Sequence, residues 1–387
     1  MRPRLFTLRP VPSVAGAAVL CALALGLTAC AGQPEADRAG ALSAGASSKA
    51  KATQPSSTSA SKPSSSSSSS SSAAPSSSPS SARKARSGGG TAVLAFAGDV
   101  HFEGSAAGAL SGRVGSAFGE LRSADLAMVN LETAVTDRGR PEPKEFTFRA
   151  PARAFDMLER AGVDAVSIAN NHGMDYGRVG LADTLSAARA AGMPLLGAGQ
   201  DDSAAWTPLR RDVKGVRVSI FAATDVLDDF AQSTWPAAPG RPGLASAKDP
   251  DRLLAGVRAE RAQADIVVVF LHWGQERVVC PTPRQQQLAR LLAEAGADAV
   301  VGSHAHVVQP GGTIGRTVVR YGMGNFQFYA NGGPGSNSGV FTVTVTRAGV
   351  TGSTWHPATI VGGAPMLMTG QAADARSSAE KSRFASC

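Results

Sequence analysis

The chain of 387 residues carries 38 Lys and Arg against 30 Asp and Glu, a formal net charge of +8. Ten of the basic residues but only two of the acidic ones lie in residues 1–90, so the rest of the chain holds 28 of each and is formally neutral. A neutral globular part offers no electrostatic footprint for a phosphate backbone, which argues against nucleic acid as a partner. Beyond the N-terminal region no apolar run reaches the roughly 18 residues that a membrane span needs.

Residues 1–29 are predicted to be a signal peptide, because basic residues, an apolar stretch and a small-residue cleavage site follow one another. A small-residue site directly before a cysteine resembles the bacterial lipobox, which makes Cys30 the predicted lipidation site. The alternative is an ordinary secretory signal with a chance cysteine. Either reading places the protein outside the cytoplasm, anchored by lipid to the outer face of the cell membrane or secreted. The pattern consists of Arg2, Arg4 and Arg9, the apolar residues 11–27, and Leu27-Thr28-Ala29-Cys30.

Residues 30–90 are rich in Ser and Pro and include an unbroken serine run over residues 64–72. Such a composition cannot bury enough apolar surface to offset chain entropy, so we predict a disordered tether. At the other end, residues 366–387 are predicted to be a polar C-terminal tail. The folded part is therefore expected over residues 91–365.

Within that part, apolar runs alternate with stretches of helical spacing, which predicts a mainly parallel α/β sheet. We predict strands at 91–97 and 126–129, a helix at 152–161, a strand at 165–169, a helix at 181–191, a strand at 216–222, a helix at 251–264, a strand at 266–271, a helix at 284–295, and strands at 299–301 and 318–321. Residues 335–347 alternate with a period of two, which indicates an edge or antiparallel strand.

Residues 158–172 are echoed by residues 292–306, which share Ala-Gly-x-Asp-Ala-Val at the same positions. Each copy reads as a helix end, a glycine turn and a strand that ends at polar residues. Ligands of open α/β sheets bind at the carboxyl ends of the strands, so two related βαβ halves would bring these polar side chains to one crevice. The alternative is a chance likeness between Ala-rich helix–strand units.

Five of the six histidines follow predicted strands, beside Gly, Asn or Asp. They are His101, His172, His272, His304 and His306. A lone histidine is more often structural, but packing does not explain five at equivalent positions. Asp99, Glu132 and Asn171 occupy similar strand ends. Imidazole with carboxylate suits Mn, Fe or Zn, and the set is too large for one ion. We therefore predict two divalent transition metal ions, an arrangement that activates water for displacement at phosphorus.

Six separated motifs occur in one order over residues 91–363. They are Gly98-Asp99-x-His101, Asn130-Leu131-Glu132, Asn170-Asn171-His172 with Asp175-Tyr176-Gly177, His272-Trp273-Gly274-x-Glu276, Gly302-Ser303-His304-Ala305-His306, and Gly324-Asn325-Phe326. Together they resemble the CapA (poly-γ-glutamate capsule synthesis) family, which is similar to the calcineurin-like metallophosphoesterases. The resemblance implies a metallophosphoesterase-like layered α/β sandwich with two related βαβ halves.

The resemblance also implies a role for each matched residue. These are Asp99 as bridging ligand beside His101, Glu132 where phosphoesterases usually have a bridging Asp, Asn171 as ligand, His172 as proton donor to the leaving group, His272 and His304 at the second metal, and His306 at the first. The second motif lacks the Gly-Asp-x-x-Asp pattern of active phosphoesterases. This departure favours the CapA subfamily and weakens a claim to ordinary phosphatase activity.

Two features outside these motifs leave alternatives open. Cys280 and Cys387 could pair, since the compartment permits disulfides, or both could remain free. Asp225, Asp228 and Asp229 follow a predicted strand, and we interpret them as a solvated loop in preference to a part of the site.

Two functions of different classes remain. The first is a metal-dependent hydrolase that acts on a phosphoester or a surface polymer, with His172 protonating the leaving oxygen. The second is a non-catalytic polymer-binding assembly or export factor within a polymer-synthesis complex. The complete ligand set favours chemistry. We therefore expect an extracytoplasmic, membrane-anchored protein with a dinuclear phosphoesterase-like site that acts in capsule, poly-γ-glutamate or related surface-polymer synthesis.

Overall fold

The computed structural model describes residues 90–330 and 332–387. The predicted signal peptide, Cys30 and almost all of the predicted tether lie outside the described residues. Within the described part, no helix is both long and apolar enough to cross a membrane.

All predicted strands and helices are present, with bounds that shift by a few residues. Strands β1 to β17 are Ala92–Val100, Leu126–Leu131, Ala134–Val135, Arg149–Ala150, Ala165–Ser167, Leu195–Leu196, Ala198–Gly199, Leu209–Val213, Val216–Thr224, Gly243–Leu244, Ile266–Trp273, Ala299–His304, Gly311–Ile314, Thr317–Arg320, Asn337–Thr346, Gly349–Val361 and Ala364–Leu367. Helices α1 to α7 are Phe118–Ser123, Arg153–Arg160, Gly177–Ala190, Asp202–Ala205, Asp251–Arg261, Pro283–Ala295 and Gly370–Phe384.

The strands form two large mixed sheets in place of the predicted mainly parallel one. The first has the order β17-β16-β15-β1-β2-β5-β6, and the second has the order β13-β14-β12-β11-β9-β8. Each sheet contains four neighbouring parallel strands with antiparallel partners added at one or both sides. Strand β15 is antiparallel, as predicted, but it lies between β1 and β16 and is not an edge.

The two sheets pack face to face with helices on their outer surfaces, which confirms the predicted layered α/β sandwich. Along β1, Leu94 and Phe96 face the second sheet, whereas the alternate residues face the helices of the first. The same alternation in β11 directs Val268 and Phe270 inward. The rings of Phe96 and Phe270 meet edge to face between the sheets, 6.3 Å apart. This inter-sheet core fixes the position of one set of strand ends against the other.

The echoed segments fold alike, which supports the prediction of two related halves. In each copy the helix ends at a glycine with positive φ, +92° at Gly162 and +104° at Gly296. Two residues later, Asp164 and Asp298 each accept a hydrogen bond from a backbone N–H of the neighbouring strand, at 2.7 and 2.8 Å. The shared Ala-Gly-x-Asp sequence therefore forms the same local structure twice. In each copy a glycine in the left-handed conformation ends the helix, and the aspartate that follows is hydrogen-bonded to the adjacent strand.

Residues 366–387, expected to be a polar tail, contain the end of β17 and the helix α7. Helix α7 is attached at three points. Arg376 donates to the side chain of Asn337 at 2.6 Å, buried Glu380 lies 3.8 Å from the guanidinium of Arg320, and Cys387 forms a disulfide with Cys280. The two cysteines therefore pair.

Candidate metal centre

The eight predicted site residues all lie at or after the carboxyl ends of parallel strands, five at the first sheet and three at the second. In the first sheet they are Asp99 near the end of β1, His101 just after it, Glu132 after β2, and Asn171 and His172 after β5. In the second sheet they are His272 near the end of β11, His304 at the end of β12, and His306 just after it. Seven are buried and His306 is partly exposed. The polar ends of the two sheets thus converge where the sequence predicted.

Glu132 is at the centre of the cluster. Its carboxylate is fully buried, yet neither oxygen has a hydrogen-bond partner. One oxygen lies 3.6 Å from His272 Nε2, 3.9 Å from His306 Nε2 and 4.0 Å from His172 Nε2. Potential ligand atoms of Glu132, His304 and His306 all lie within 4.8 Å of one another.

Asp99 is fixed by groups from both sheets. It accepts hydrogen bonds from the side chain of Asn130 at 2.9 Å and from the backbone N–H of His304 at 3.1 Å. His306 Nδ1 lies 3.3 Å from its carboxylate. A register shift in β1 precedes Asp99, and the backbone there approaches Gly324 so closely that a Cβ on Gly98 would lie 1.8 Å from the Gly324 carbonyl oxygen. Only glycine fits at position 98.

Unpartnered buried nitrogen and oxygen atoms make this set fit a metal. Besides the Glu132 oxygens, His101 Nε2 and His304 Nδ1 have no hydrogen-bond partner. Buried polar atoms are normally paired, because each unpaired one costs about 1–3 kcal/mol. Imidazole nitrogen and carboxylate oxygen are donors that transition metals bind. The donor set is therefore consistent with metal binding.

His101 and Asn171 are held at the two sides of the cluster. The His101 ring stacks on Phe148 at 4.6 Å and meets Phe328 edge to face at 4.0 Å. Asn171 Oδ1 lies 2.8 Å from His272 Nε2. Because a metal ligand must point its lone pair at the ion, the Asn171–His272 contact places these two predicted ligands at one point.

His172 is oriented by residues for which the sequence predicted no role. Its Nδ1 lies 2.6 Å from Asp175 Oδ2, which leaves Nε2 facing Glu132. Lys144 Nζ lies 3.2 Å from the other Asp175 oxygen and 2.8 Å from Asp228. Asp228 is therefore ion-paired with the lysine that also holds Asp175. The interpretation of the acidic cluster as a solvated loop is wrong for Asp228. Asp225 is also buried, paired with Arg284.

Burial changes the proton affinity of these groups. Burial, together with the charge of neighbouring histidines, lowers the pKa of His101 and of His304 to about 3. The pKa of Glu132 is raised well above its usual range by burial and by Asp99. Burial also raises the pKa of Asp175 to about 7, although Lys144 opposes this. Neutral imidazoles are the form that binds metal.

Backbone strain is concentrated at the site. Among the described residues, four that are not glycine have positive φ, and three of them are Arg277, His304 and His306, at +61°, +89° and +54°. Such conformations cost of order 1–3 kcal/mol and are found where function requires them. The backbone N–H of Arg277 donates to the carbonyl of Ala305 at 2.8 Å, which joins this segment to the His304–His306 turn.

Two asparagines complete the framework around the ligands. Asn130 contacts Asp99 and lies 3.2 Å from His272 Nδ1. Asn325 Oδ1 lies 2.8 Å from His306 Nδ1. Both asparagines occur in the quoted motifs, in Asn130-Leu131-Glu132 and Gly324-Asn325-Phe326, which is the sequence signal that could have identified them. Their contacts could not be predicted, because these depend on which strands become neighbours.

A cleft of about 480 Å³ opens over the cluster. His172, His306 and Asn325 lie at its base, and aromatic side chains form much of its wall. The segment after β11 contributes Glu276 and Arg277 to the mouth. A ligand in this cleft would therefore contact the cluster directly.

Comparison with known proteins was made against family models and individual sequences. Residues 93–330 match the family model described as Bacterial capsule synthesis protein PGA_cap. The PGA biosynthesis protein CapA of Bacillus subtilis (strain 168) is 35% identical over 210 residues, which are 54% of this chain and 54% of that protein. A probable polyglutamine synthesis accessory protein of Mycobacterium tuberculosis is 30% identical over 213 residues, 53% of this chain and 56% of that protein. The chain spans about half the length of the curated relatives it matches.

Solved structures give weaker likenesses. A novel phosphatase from Mycoplasma pneumoniae aligns with a TM-score of 0.48 at 14% identity, covering 70% of this chain and 94% of that one. A 5'-nucleotidase from Candida albicans aligns with a TM-score of 0.39 at 9% identity, covering 69% of this chain and 51% of that one. TM-scores below 0.5 assign no function to this chain.

Proposed function

Because this chain belongs to the PGA_cap family of bacterial capsule synthesis proteins, we propose that it is a metal-dependent hydrolase of phosphoester-type bonds in surface-polymer synthesis. The polymer is poly-γ-glutamate or a related capsule material. The substrate is a phosphoester or the polymer itself, and the protein acts within a polymer-synthesis complex. The names of the relatives support the polymer, and the cluster at the strand ends supports the chemistry.

The observation that carries this proposal is the buried, unpartnered Glu132 carboxylate among three imidazoles. Such an arrangement is costly to a folded protein unless a bound ion pairs these atoms. We assign Asp99, His101, Glu132, Asn171, His272, His304 and His306 as ligands of two divalent ions, Mn, Fe or Zn. Bound ions of this kind lower the pKa of a water molecule and neutralise charge at phosphorus.

The chain's own residues supply the remaining steps. A water oxygen would form a bond to phosphorus and release its proton to solvent, while the bond to the leaving oxygen breaks and that oxygen takes the proton from His172 Nε2. The contact between Asp175 and Nδ1 fixes the ring so that Nε2 faces the cluster. Because burial raises the pKa of Asp175 to about 7, a protonated Asp175 would donate to Nδ1 and leave the imidazole proton on Nε2. Lys144 holds Asp175 in place through its other oxygen.

The activity is tested by supplying Mn or Zn to the purified protein and measuring hydrolysis of phosphomonoesters, phosphodiesters and γ-glutamyl oligomers. We expect turnover of a phosphoester that disappears in Glu132→Gln. If the metal-loaded wild-type protein hydrolyses none of these compounds, the alternative, a polymer-binding assembly or export factor, replaces the enzyme. The word "accessory" in the name of the mycobacterial relative agrees with that alternative.

We further propose that Cys30 anchors the protein by lipid at the outer face of the membrane. This proposal rests on the basic and apolar residues that precede it and on the small residue at position 29. In a bacterial host, Cys30→Ala should move the protein from the membrane fraction to the medium or the wall. Membrane association that persists in the variant would point instead to an uncleaved leader.

A further inference from the structure

The charge of the cleft restricts what it can bind. Among the described residues that line it, Arg277 and Glu276 are the one Lys or Arg and the one carboxylate. Both are exposed at the mouth. The side chain of Lys144 is only 8% exposed and is already paired with two aspartates. An internal segment of poly-γ-glutamate carries a carboxylate on every residue, and the cleft has one arginine to meet them.

Glu276 makes such a segment still less favourable. Its exposed carboxylate lines the mouth beside Arg277, so any group that enters the cleft passes it. Like charges at close range repel one another by an amount that grows as water is excluded. Beyond one group held at the ligand cluster and one met by Arg277, a further carboxylate entering beside Glu276 would therefore meet repulsion, because no other Lys or Arg is among the described residues that line the cleft.

The wall of the cleft is apolar where its mouth is charged. Phe146 is 54% exposed there, more than Phe230, the other phenylalanine among the exposed large hydrophobic residues of the described part. Tyr329 and Phe328 stand on the same cleft, with their rings 5.0 Å apart. A cleft lined by aromatic side chains with a few convergent polar groups is the usual form of a site for a small organic ligand.

We propose that the cleft takes a small phosphoester whose organic part is apolar or planar, and not the interior of a polyanionic chain. The phosphoryl group lies over the ligand cluster, Arg277 receives one further anionic oxygen, and the organic part packs against Phe146 and Tyr329. This inference rests on the proposed function and names the substrate class of the same site. If the protein acts in polymer synthesis, this ligand class means that its substrate is a chain end or a small phosphorylated component.

The test is binding and needs no turnover. Methylphosphonate and phenylphosphonate are titrated calorimetrically into the Mn-loaded protein, together with a γ-linked glutamate oligomer. Phenylphosphonate should bind about tenfold more tightly than methylphosphonate, since ring packing of this kind is worth roughly one factor of ten. Phe146→Ala should bring the two phosphonates to within about threefold. Phe230→Ala removes another exposed phenylalanine that does not line the cleft, and it should keep the tenfold ratio.

Arg277 is tested in the same titration. Arg277→Ala should weaken both phosphonates by a similar factor, and Arg277→Lys should restore part of the loss. Arg258→Ala, an exposed arginine of α5, is the matched control and should change neither.

The inference is overturned if phenylphosphonate does not bind, if it binds no better than methylphosphonate, or if the glutamate oligomer binds more tightly than both and is indifferent to Phe146→Ala. A protein that hydrolyses phosphoesters but shows no phenyl preference would contradict this inference alone. A protein that shows the Phe146-dependent preference but hydrolyses nothing would contradict the proposed hydrolase and leave the ligand class standing.

Discussion

At the scale of single residues, His172 and Asn171 are neighbours with different assignments. His172 contacts Asp175 through Nδ1, whereas Asn171 Oδ1 contacts His272 Nε2. His172→Gln should therefore keep the metal content while turnover falls by roughly 10² to 10⁴, the usual contribution of general acid catalysis. The loss should shrink for an activated aryl phosphate, because a stable aryloxide leaves without a proton. Turnover of both substrate types and elemental analysis of the same samples measure this.

Asn171→Ala is the matched comparison. It should lose metal and activity together for every substrate. If His172→Gln loses metal to the same extent, His172 is a ligand and the proton comes from another group.

The candidate ligands could be predicted from the sequence because each one lies at or shortly after the end of a strand. An apolar run that stops at a polar residue marks the strand end, and the fold class places all such ends at one edge. Lys144 and Asp228 could not be predicted in this way. They come from loops of different halves, 84 positions apart in the chain, and the ion pair that they form beside Asp175 depends on how the two sheets face each other.

At the scale of elements, the two aspartates of the echoed segments differ in burial. Asp298 is 2% exposed, bonds to the backbone N–H of Val267 and pairs with Arg261. Asp164 is exposed and bonds to one backbone N–H. Asp298→Ala leaves a buried donor and a cation unpaired, so it should lower the free energy of unfolding by about 2–4 kcal/mol, against about 1 kcal/mol for Asp164→Ala. Urea denaturation of the two variants gives both values, and equal losses would contradict the account.

The attachment of α7 is a second element-scale feature. The disulfide Cys280–Cys387 closes a segment with a sequence separation of 107 residues, and Cys280 follows the residues that form the cleft mouth. Cys387→Ser should destabilise the folded state by about 2–4 kcal/mol, because the cross-link restricts the unfolded chain. Metal content should not change. Thermal unfolding in a non-reducing buffer measures the loss, and Ser386→Ala, its exposed neighbour, should leave the transition where it is.

Some elements left too weak a pattern to be predicted. Strand β16 has a run of exposed residues over its first half, so it lacks the alternation that identified β15. Helix α7 is polar on nearly all sides and buries one residue, Glu380. Its position depends on Arg320, Asn337 and Cys280, which belong to three other segments. Long-range partners of this kind are absent from any local sequence window.

At the scale of the whole molecule, the site exists because two sheets meet. Asp99, Glu132, Asn171 and their neighbours come from the first sheet, and His272, His304 and His306 come from the second. The inter-sheet core of Phe96, Phe270 and their surroundings holds the two sets of strand ends together. The first sheet supplies both carboxylates with His101 and His172, and the second supplies the other three imidazoles, so the set is complete only where the two sheets meet.

The central claim is that this convergence holds two metal ions, and metal stoichiometry tests it most directly. The purified protein, incubated with Mn or Zn and freed of excess ion, should contain close to two ions per chain by elemental analysis. Asp99→Ala, which removes a carboxylate that contacts groups of both sheets, should reduce the content more than His306→Ala. A wild-type protein that retains no metal after this loading would contradict the account.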